Sequence, residues 1–428
     1  MRKTERRDTK PTKLSNTHGP GYKLTSVGWI PREWDLKKLS SIVRRSICYG
    51  VVQPGEDDAS GVRFIRGGDI VEGKISTNLR VISKAVAEQY KRTYLRGGEL
   101  LVSLVGSPGE TAVVPEELAG ANIARQVGLI DIEDETTAFW LHQYLSSPSG
   151  KRALLYELIG SAQQVINVGK LASLEVPIPP GPERQALLAV LNAWDTAIYK
   201  TQDVISLKKQ RKKALMQRLL SGKKRLPGFN GEWVKYHFGQ LLREVKRPIE
   251  WNDDQRYDLI SVRRCSGGLF HRESLFGKQI LTKDLRTAKA GDFLFSKMQV
   301  VHGASGLVTP AYAEMKISGS YIAVVAQSQQ VLDMDFFDWY SRTPYFYHQT
   351  LISSYGVHIE KMTFDFDTFL SLSTKIPPLP EQIAIVRVLN SAAKELDMLQ
   401  QRLEALREQK KGLMQKLVTG NKRIRVEW

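Results

Sequence analysis

Apolar residues recur at alternating steps of four and three along two stretches of the chain. The first series is Leu187, Leu191, Trp194, Ile198, Thr201, Ile205, Lys208, Lys212, Leu215 and Leu219. The second is Ile385, Leu389, Ala392, Leu396, Leu399, Leu403, Leu406, Lys410, Leu413 and Leu417. This spacing is the heptad seam of a coiled coil. The two stretches correspond without a gap at an offset of 198 residues, set by Pro179 and Pro377. Pro182 and Pro380 suit a first helical turn, and Gly222 and Gly420 suit a left-handed C-terminal cap. The pattern therefore predicts helices from about Glu183 to Leu220 and from about Glu381 to Val418, each a rod of roughly 57 Å. The gapless register predicts that they pair with each other, antiparallel, within one chain. Lys212 and Lys410 stand at seam positions, where a polar residue is expected to fix register.

Outside the rods the pattern changes to short β-type runs broken by glycine. Examples are Val62–Ile65, Glu99–Ser103, Val127–Ile132, Tyr257–Val262, Asp292–Ser296 and Tyr321–Val325. Gly98-Glu-Leu-Leu-Val-Ser103 and Gly291-Asp-Phe-Leu-Phe-Ser296 echo one another, and Glu33-Trp34 is answered by Glu232-Trp233. Helical pieces are expected over Phe139–Leu158 and Phe336–Ile352. Elsewhere the two globular parts differ freely. Repeated rods with divergent globular parts describe a scaffold that presents two similar domains to two different targets. Antiparallel pairing would put those domains at opposite ends of the rods. The expected fold is α+β, with two similar mixed domains separated by two long helices in an intramolecular antiparallel coiled coil, related by a pseudo-twofold repeat.

Charge narrows the class of target. Of 428 residues, 62 are Lys or Arg against 45 Asp or Glu, a formal charge of +17, which favours a polyanionic partner. No apolar run approaches the roughly 18 residues needed to span a bilayer. The start of the chain carries Arg2, Lys3, Arg6, Arg7, Lys10 and Lys13 with no apolar segment behind them, and reads as a basic flexible arm rather than a signal or anchor. Cys48 and Cys265 have neither metal-ligand spacing nor a disulfide framework; both are expected to be buried, inert thiols of a reducing cytoplasm.

The chain resembles the specificity subunit of a type I restriction–modification system. The residues that carry the resemblance are Ile178-Pro-Pro-Gly-Pro-Glu and Ile376-Pro-Pro-Leu-Pro-Glu-Gln at the helix starts, and Lys-x-x-Leu-Met-Gln-x-Leu from Lys212 and from Lys410. Leu226-Pro-Gly-Phe-Asn-Gly-Glu-Trp233 and Phe64-Ile-Arg-Gly-Gly-Asp-Ile70 add to them. Gly181 and Arg184 depart from the more typical Leu379 and Gln382 of the second copy. The resemblance implies a cytoplasmic subunit without chemistry or cofactor of its own. It would bind double-stranded DNA at a bipartite site, recruit two methyltransferase subunits, and meet the restriction and motor subunits through the complex. The expected division is a basic arm (1–24), a first target-recognition domain (25–178), a central long helix (179–225), a second target-recognition domain (226–376) and a C-terminal long helix (377–428).

Enzymatic readings fare worse on the residues themselves. An adenine methyltransferase needs an Asn or Asp before Pro-Pro-aromatic, and neither Pro179-Pro180 nor Pro377-Pro378 has one. Asp58 followed by Glu72-Gly73-Lys74 fits a loose Mg²⁺-nuclease pattern of acid, then Glu-x-Lys. Val105-Gly-Ser-Pro-Gly-Glu-Thr111 lacks the Gly-Lys-Ser/Thr end of a phosphate loop. The rivals are thus a Mg²⁺-dependent nuclease, separated by metal-dependent cutting, and a protein-only coiled-coil adaptor, separated by failure to bind duplex DNA. Base reading falls to polar and aromatic side chains on loops. The candidates are Arg66, Ser107, Arg125, Gln126, Gln163, Gln164 and Asn167 in the first half. In the second they are Arg263, Arg264, Lys297, Gln299, His302, Tyr321, Tyr355 and His358.

Overall fold

The computed structural model describes residues 19–155 and 165–424. The basic residues before Gly19, and Gln163 and Gln164, lie outside the described residues. Two helices of 39 residues, Gly181–Leu219 and Leu379–Leu417, occupy the two heptad stretches. Leu187, Leu191, Ile198, Ile205, Leu219, Ile385, Leu389, Leu396, Leu403 and Leu417 are buried. Trp194, Leu215, Leu399, Leu406 and Leu413 are half-buried. Contacts divide the chain into two compact units, one drawn from residues up to Thr201 and from Arg402 onward, the other from Gln202–Gln401, so that each long helix contributes to both.

In the first unit a four-stranded antiparallel sheet has the order Thr111–Val113, Leu100–Ser103, Val127–Ile130, Cys48–Tyr49. Leu100–Ser103 is buried at every position, as expected of a central strand covered on both faces. A second sheet sets Val62–Ile65 between Asn122–Ile123, which runs parallel to it, and Arg80–Ile82. The core joins this fold to the helices: Trp140, Leu141 and Tyr144 pack in one cluster with Leu187, Leu188 and Leu191 and with Met414, Leu417 and Val418. The start of one long helix therefore meets the end of the other. Arg423 pairs with Glu183 and Lys410 with Asp195, numbers falling on one helix as they rise on the other.

The second unit repeats the plan with a larger aromatic core. Its four-stranded sheet has the order Leu242–Glu244, Tyr321–Ala326, Phe293–Ser296, Ser305–Leu307. A second sheet runs Leu269–Phe276, Arg256–Val262, Lys316–Ser318, Leu285–Thr287. Phe293, Phe295, Phe337, Phe346, Phe364 and Phe369 are packed among Leu219, Leu220, Ile385, Val386 and Leu389. Helix pairing is again antiparallel, with Arg225 on Glu381 and Lys208 on Glu395.

The short echo between the two halves has a physical cause. Glu99, 2% exposed, accepts from the backbone N–H of Arg96 and Gly97 and pairs with Arg45. Asp292, 1% exposed, accepts from the N–H of Lys289 and pairs with Arg247. In both units a buried carboxylate closes the turn that feeds the central strand. Each expected end-of-domain helix is broken in two, Glu135–Ser146 then Pro148–Leu155, and Met334–Tyr340 then Pro344–Ile352. A proline opens the second piece in both, and its ring cannot continue the preceding ladder of hydrogen bonds. The expectation of buried thiols fails at both positions: Cys265 is exposed, in a left-handed turn at φ 57°, and Cys48 is only half-buried.

His142 sits under the helix pair in the first unit. Thr111 Oγ1 hydrogen-bonds its Nδ1 at 2.9 Å. Burial, reinforced by the Lys410 ammonium, holds its imidazole down to about 4. An unfolded histidine titrates near 6.5, so below that pH the unfolded chain binds a proton that the folded chain refuses. The stability this imposes is whole above pH 6.5 and is lost as pH falls towards about 4; because the ring is only half-buried by surface area, the loss is put at about 1–2 kcal/mol. Denaturant melts at pH 7 and pH 4.5 should show this excess loss in the native chain and not in His142→Gln. Equal losses in the two proteins would contradict it.

Candidate nucleic-acid interface

In the first unit the loop candidates come from four separate places in the chain and meet on one face. Arg66 caps a 3-10 turn, Gly67–Asp69. Its Nε and Nη2 donate to the two oxygens of Asp69 at 3.0 Å each, and its backbone N–H donates to the same carboxylate at 2.8 Å. Asp69 is buried while the Arg66 side chain stays half exposed, and the carboxylate raises the guanidinium pKa further. This is a clamped fork: the inner edge of the guanidinium is spent on Asp69 and the outer N–H groups face solvent.

Gly67 is there because nothing larger fits. A Cβ on it would lie 2.9 Å from Ser103 Oγ and from the Val105 carbonyl oxygen, and 3.5 Å from Cβ of Gln126. The same close approach places the Arg66 turn beside the Val105–Pro108 loop, which carries Ser107, and beside Gln126. Arg125 and Asn167 line a cleft of about 800 Å³ with Val105, Gly106 and Pro108. Arg66, Ser107, Arg125, Gln126 and Asn167 are all exposed. Asn167 has a second task, since its Oδ1 accepts from the Gly169 N–H at 2.8 Å and caps the short helix Val168–Ser173.

The second unit gathers its candidates around a residue that the sequence did not single out. Glu360 accepts from Arg264 Nη2 at 2.6 Å, lies 3.3 Å from His302 Nε2, and its backbone N–H donates to His358 Nδ1 at 3.2 Å. The hydrogen bond from Arg264 holds the Glu360 carboxyl below its ordinary value, and the charges of His302 and His358 add to it. The Arg263–Gly268 turn is tied to the Gln299–Gly303 loop, with the N–H of Cys265 donating to the His302 carbonyl at 2.7 Å. Arg263 itself lies over the Phe270 ring at 4.4 Å. Lys297 meets the same set through its carbonyl, which accepts from Phe364.

Tyr355 is exposed and pairs across the strand with Thr363, whose hydroxyl reaches Met298. Tyr321 lies across the strand pair from Ser296, next to Lys297, and its hydroxyl is 2.7 Å from Ser261 Oγ. Exposed Met298, Val357 and Ile359 border the cluster with Tyr355. The side-chain oxygen of Gln299 is buried without a hydrogen-bond partner in the described structure. Cations, amides and apolar edges on one loop surface are the donor and packing set that base edges call for.

The Glu72-Gly73-Lys74 stretch is a two-residue hairpin turn, with φ 50° at Glu72 and 81° at Gly73, between Ile70–Val71 and Lys74–Ile75. Glu72 pairs with Arg407 at 2.7 Å, and Lys74 lies 3.5 Å from the centre of the Tyr199 ring. Both side chains are thus engaged with the long helices. Among the described residues no three His, Cys, Asp or Glu side chains come together as a metal site. No helix among them is long and apolar enough to cross a membrane.

Asp69 and Glu360 are the residues that sequence reasoning missed. Asp69 stood inside the Arg-Gly-Gly-Asp text at capping distance from Arg66, so a signal existed. Glu360 is 96 residues from Arg264, and only folding brings them together.

The model of the type I restriction modification DNA specificity domain matches residues 31–209. The EcoBI specificity subunit, from a type I restriction enzyme of Escherichia coli, is 36% identical over 184 residues, 42% of this chain and 37% of that subunit's length. The putative type I restriction enzyme MjaX specificity subunit of Methanocaldococcus jannaschii is 23% identical over 431 residues, 94% of this chain and 97% of that one. Two solved structures share the fold. The S subunit of a type I restriction–modification system from M. genitalium superposes with a TM-score of 0.52 at 12% identity, covering 96% of this chain and 100% of its own. A chain from a structure of type I restriction–modification complex assembly gives 0.54 at 14%, covering 92% and 99%.

Asp69→Asn, which keeps volume but removes the charge that three N–H groups point at, is expected to lower stability by about 1–3 kcal/mol. Arg66→Ala strips the buried Asp69 carboxylate of two of its three donors and is expected to destabilise at least as much. A denaturant midpoint unchanged in either variant would show that this pair does not hold the turn.

Proposed function

We propose that the chain is a DNA specificity subunit of a type I restriction–modification system, and that its two units each read one half of a bipartite duplex site. The observation that carries this is the convergence, in the first unit, of Arg66, Ser107, Arg125, Gln126 and Asn167 on one exposed face beside a cleft. In the second unit the counterpart is the loop group around Glu360.

In this reading the chain performs no chemistry. Arginine and lysine bind phosphate oxygens and release counterions, which the formal charge of +17 favours, and side chains at the loop tips read base edges in the grooves. Arg125 has the freer guanidinium, since none of the described ion pairs claims it, and is assigned a bidentate contact to guanine. Arg264, braced by Glu360, has the corresponding task in the second unit. The long helices set the unread spacer between half-sites and dock two methyltransferase subunits, and the restriction and motor subunits join through that complex. The sequence domains proposed above, 25–178 and 226–376, are the target-recognition domains of this scheme.

Arg125→Ala and Arg264→Ala test it. Each should cost roughly 1–3 kcal/mol of discrimination at one base pair and relax only its own half-site. Methylation profiling of host DNA carrying each variant reads this directly. Relaxation of both half-sites by either variant would refute independent readers, and an unaltered profile in both would refute the assignment of these arginines.

A further inference from the structure

The internal repeat allows each position of one unit to be set beside its counterpart in the other. In the first unit the fully buried Trp34 indole donates to Glu183 at 2.9 Å, and Arg423 binds the same glutamate. In the second, Arg225 binds Glu381 and lies 5.9 Å from the centre of the Trp233 ring, but the buried Trp233 indole N–H has no hydrogen-bond partner. A buried donor without an acceptor is costly, and native structures keep few of them.

Beside this indole is a cavity of about 780 Å³ with Trp233, Tyr340 and Tyr345 in its walls and Arg225, Lys235 and Lys375 at its edge. Lys235 and Lys375 are directly opposed in the antiparallel pair of Val234–His237 with Ser373–Ile376. Like charges in that arrangement repel across the strands. None of the ion pairs of the second unit neutralises either lysine, the nearby acid Glu381 being taken by Arg225. At the same register the first unit has Leu36 opposite Pro177. An apolar pair in one copy is thus two cations in the other.

The first unit also shows what such a place can hold. The turn of its hairpin, between Tyr22–Thr25 and Gly28–Pro31, brings Ser26 onto the Glu175 carboxylate and sets Ser26 and Val27 alongside Tyr144 and Ser149. By the repeat, Tyr144, Ser149 and Glu175 correspond to Tyr340, Tyr345 and Ser373, which line the cavity of the second unit. The stretch before Trp233 forms no hairpin there, so the seat is open.

We propose that this cavity seats an acidic turn of a partner protein. A carboxylate of the turn lies between Lys235 and Lys375, and one of its oxygen atoms accepts the Trp233 N–H. Resting on the function proposed above, the partner is the methyltransferase subunit. A polypeptide fits better than duplex DNA because the sister place is filled by a polypeptide turn, and because aromatic walls lead inward from the lysines.

The test measures association of the full-length chain with the methyltransferase subunit of its system, by calorimetry from low to moderate salt. Lys235→Leu restores the first unit's residue, and Lys375→Glu reverses a charge; each should weaken association by about tenfold and flatten its salt dependence. Trp233→Phe, which removes only the N–H, should weaken it by roughly threefold. The melting temperature of Lys235→Leu should hold or rise as repulsion is relieved, which separates lost docking from lost folding. Wild-type association in both lysine variants would overturn the seat and leave the specificity-subunit reading intact. Loss of duplex affinity with methyltransferase association unchanged would show that the lysines face phosphates and overturn it equally. No association of the native chain at all would overturn the reading on which the seat rests.

Discussion

A glutamate at the start of each long helix governs how the chain closes on itself. Glu183 and Glu381 are each 1% exposed, and each is bound through two nitrogens by an arginine just past the glycine that ends the other helix copy, Arg423 and Arg225 respectively. A carboxylate removed from water must be paired, and losing the partner of such a pair costs about 3–5 kcal/mol. Leucine seams supply the area that stabilises helix pairing but tolerate slippage by a heptad. The buried acids do not, because only one antiparallel register brings Arg423 to Glu183, and only one brings Arg225 to Glu381. Lys410 on Asp195 repeats the constraint further along the first of these contacts.

How much of this could be read from the sequence depends on the separation of the groups concerned. Helix bounds were legible to within about two residues, since proline, glycine and the heptad lie within the helices themselves. Central strands were legible too, as Leu100–Val102 and Phe293–Phe295 are continuous apolar runs. The broken end-of-domain helices were misread as single pieces although Pro148 and Pro344 were in plain view, because apolar spacing continued across them. Residue type marks the candidate loop residues, but their grouping is not legible in a single sequence. Arg264, His302 and Glu360 come from three loops, and a single sequence holds no trace of that proximity. The lysine pair at 235 and 375 was invisible for the same reason, as its meaning appears only once strand register is known.

Divergence between the repeats is then the more informative half of the comparison. Where both copies keep a residue, as with the glutamate, the arginine and the tryptophan, the residue serves closure of the fold. Where they differ at matched positions, one copy has solved locally what the other leaves unsolved. Asp195 answers Lys410 in the first unit, whereas Ala393 stands at the matching place and leaves Lys212 against Trp339, its ammonium made easier to deprotonate by burial and by Arg342. In the proposed function, loops that read different half-sites must diverge, whereas helices that only hold the chain together need not. Differences on the helices and their flanks therefore point to partners.

In the function proposed above, the long helices set the spacing between the two half-sites. Insertion of four residues after Gln202 and four after the matched Gln400 would lengthen both helices by about 6 Å, and a heptad seam absorbs four residues with local unwinding. With DNA rising about 3.4 Å per base pair, the account predicts that methylated sites mapped in host DNA keep both half-site sequences while the spacer between them grows by one to two base pairs. A protein that folds and still directs methylation at the original spacer would show that the helices join the readers without setting their distance.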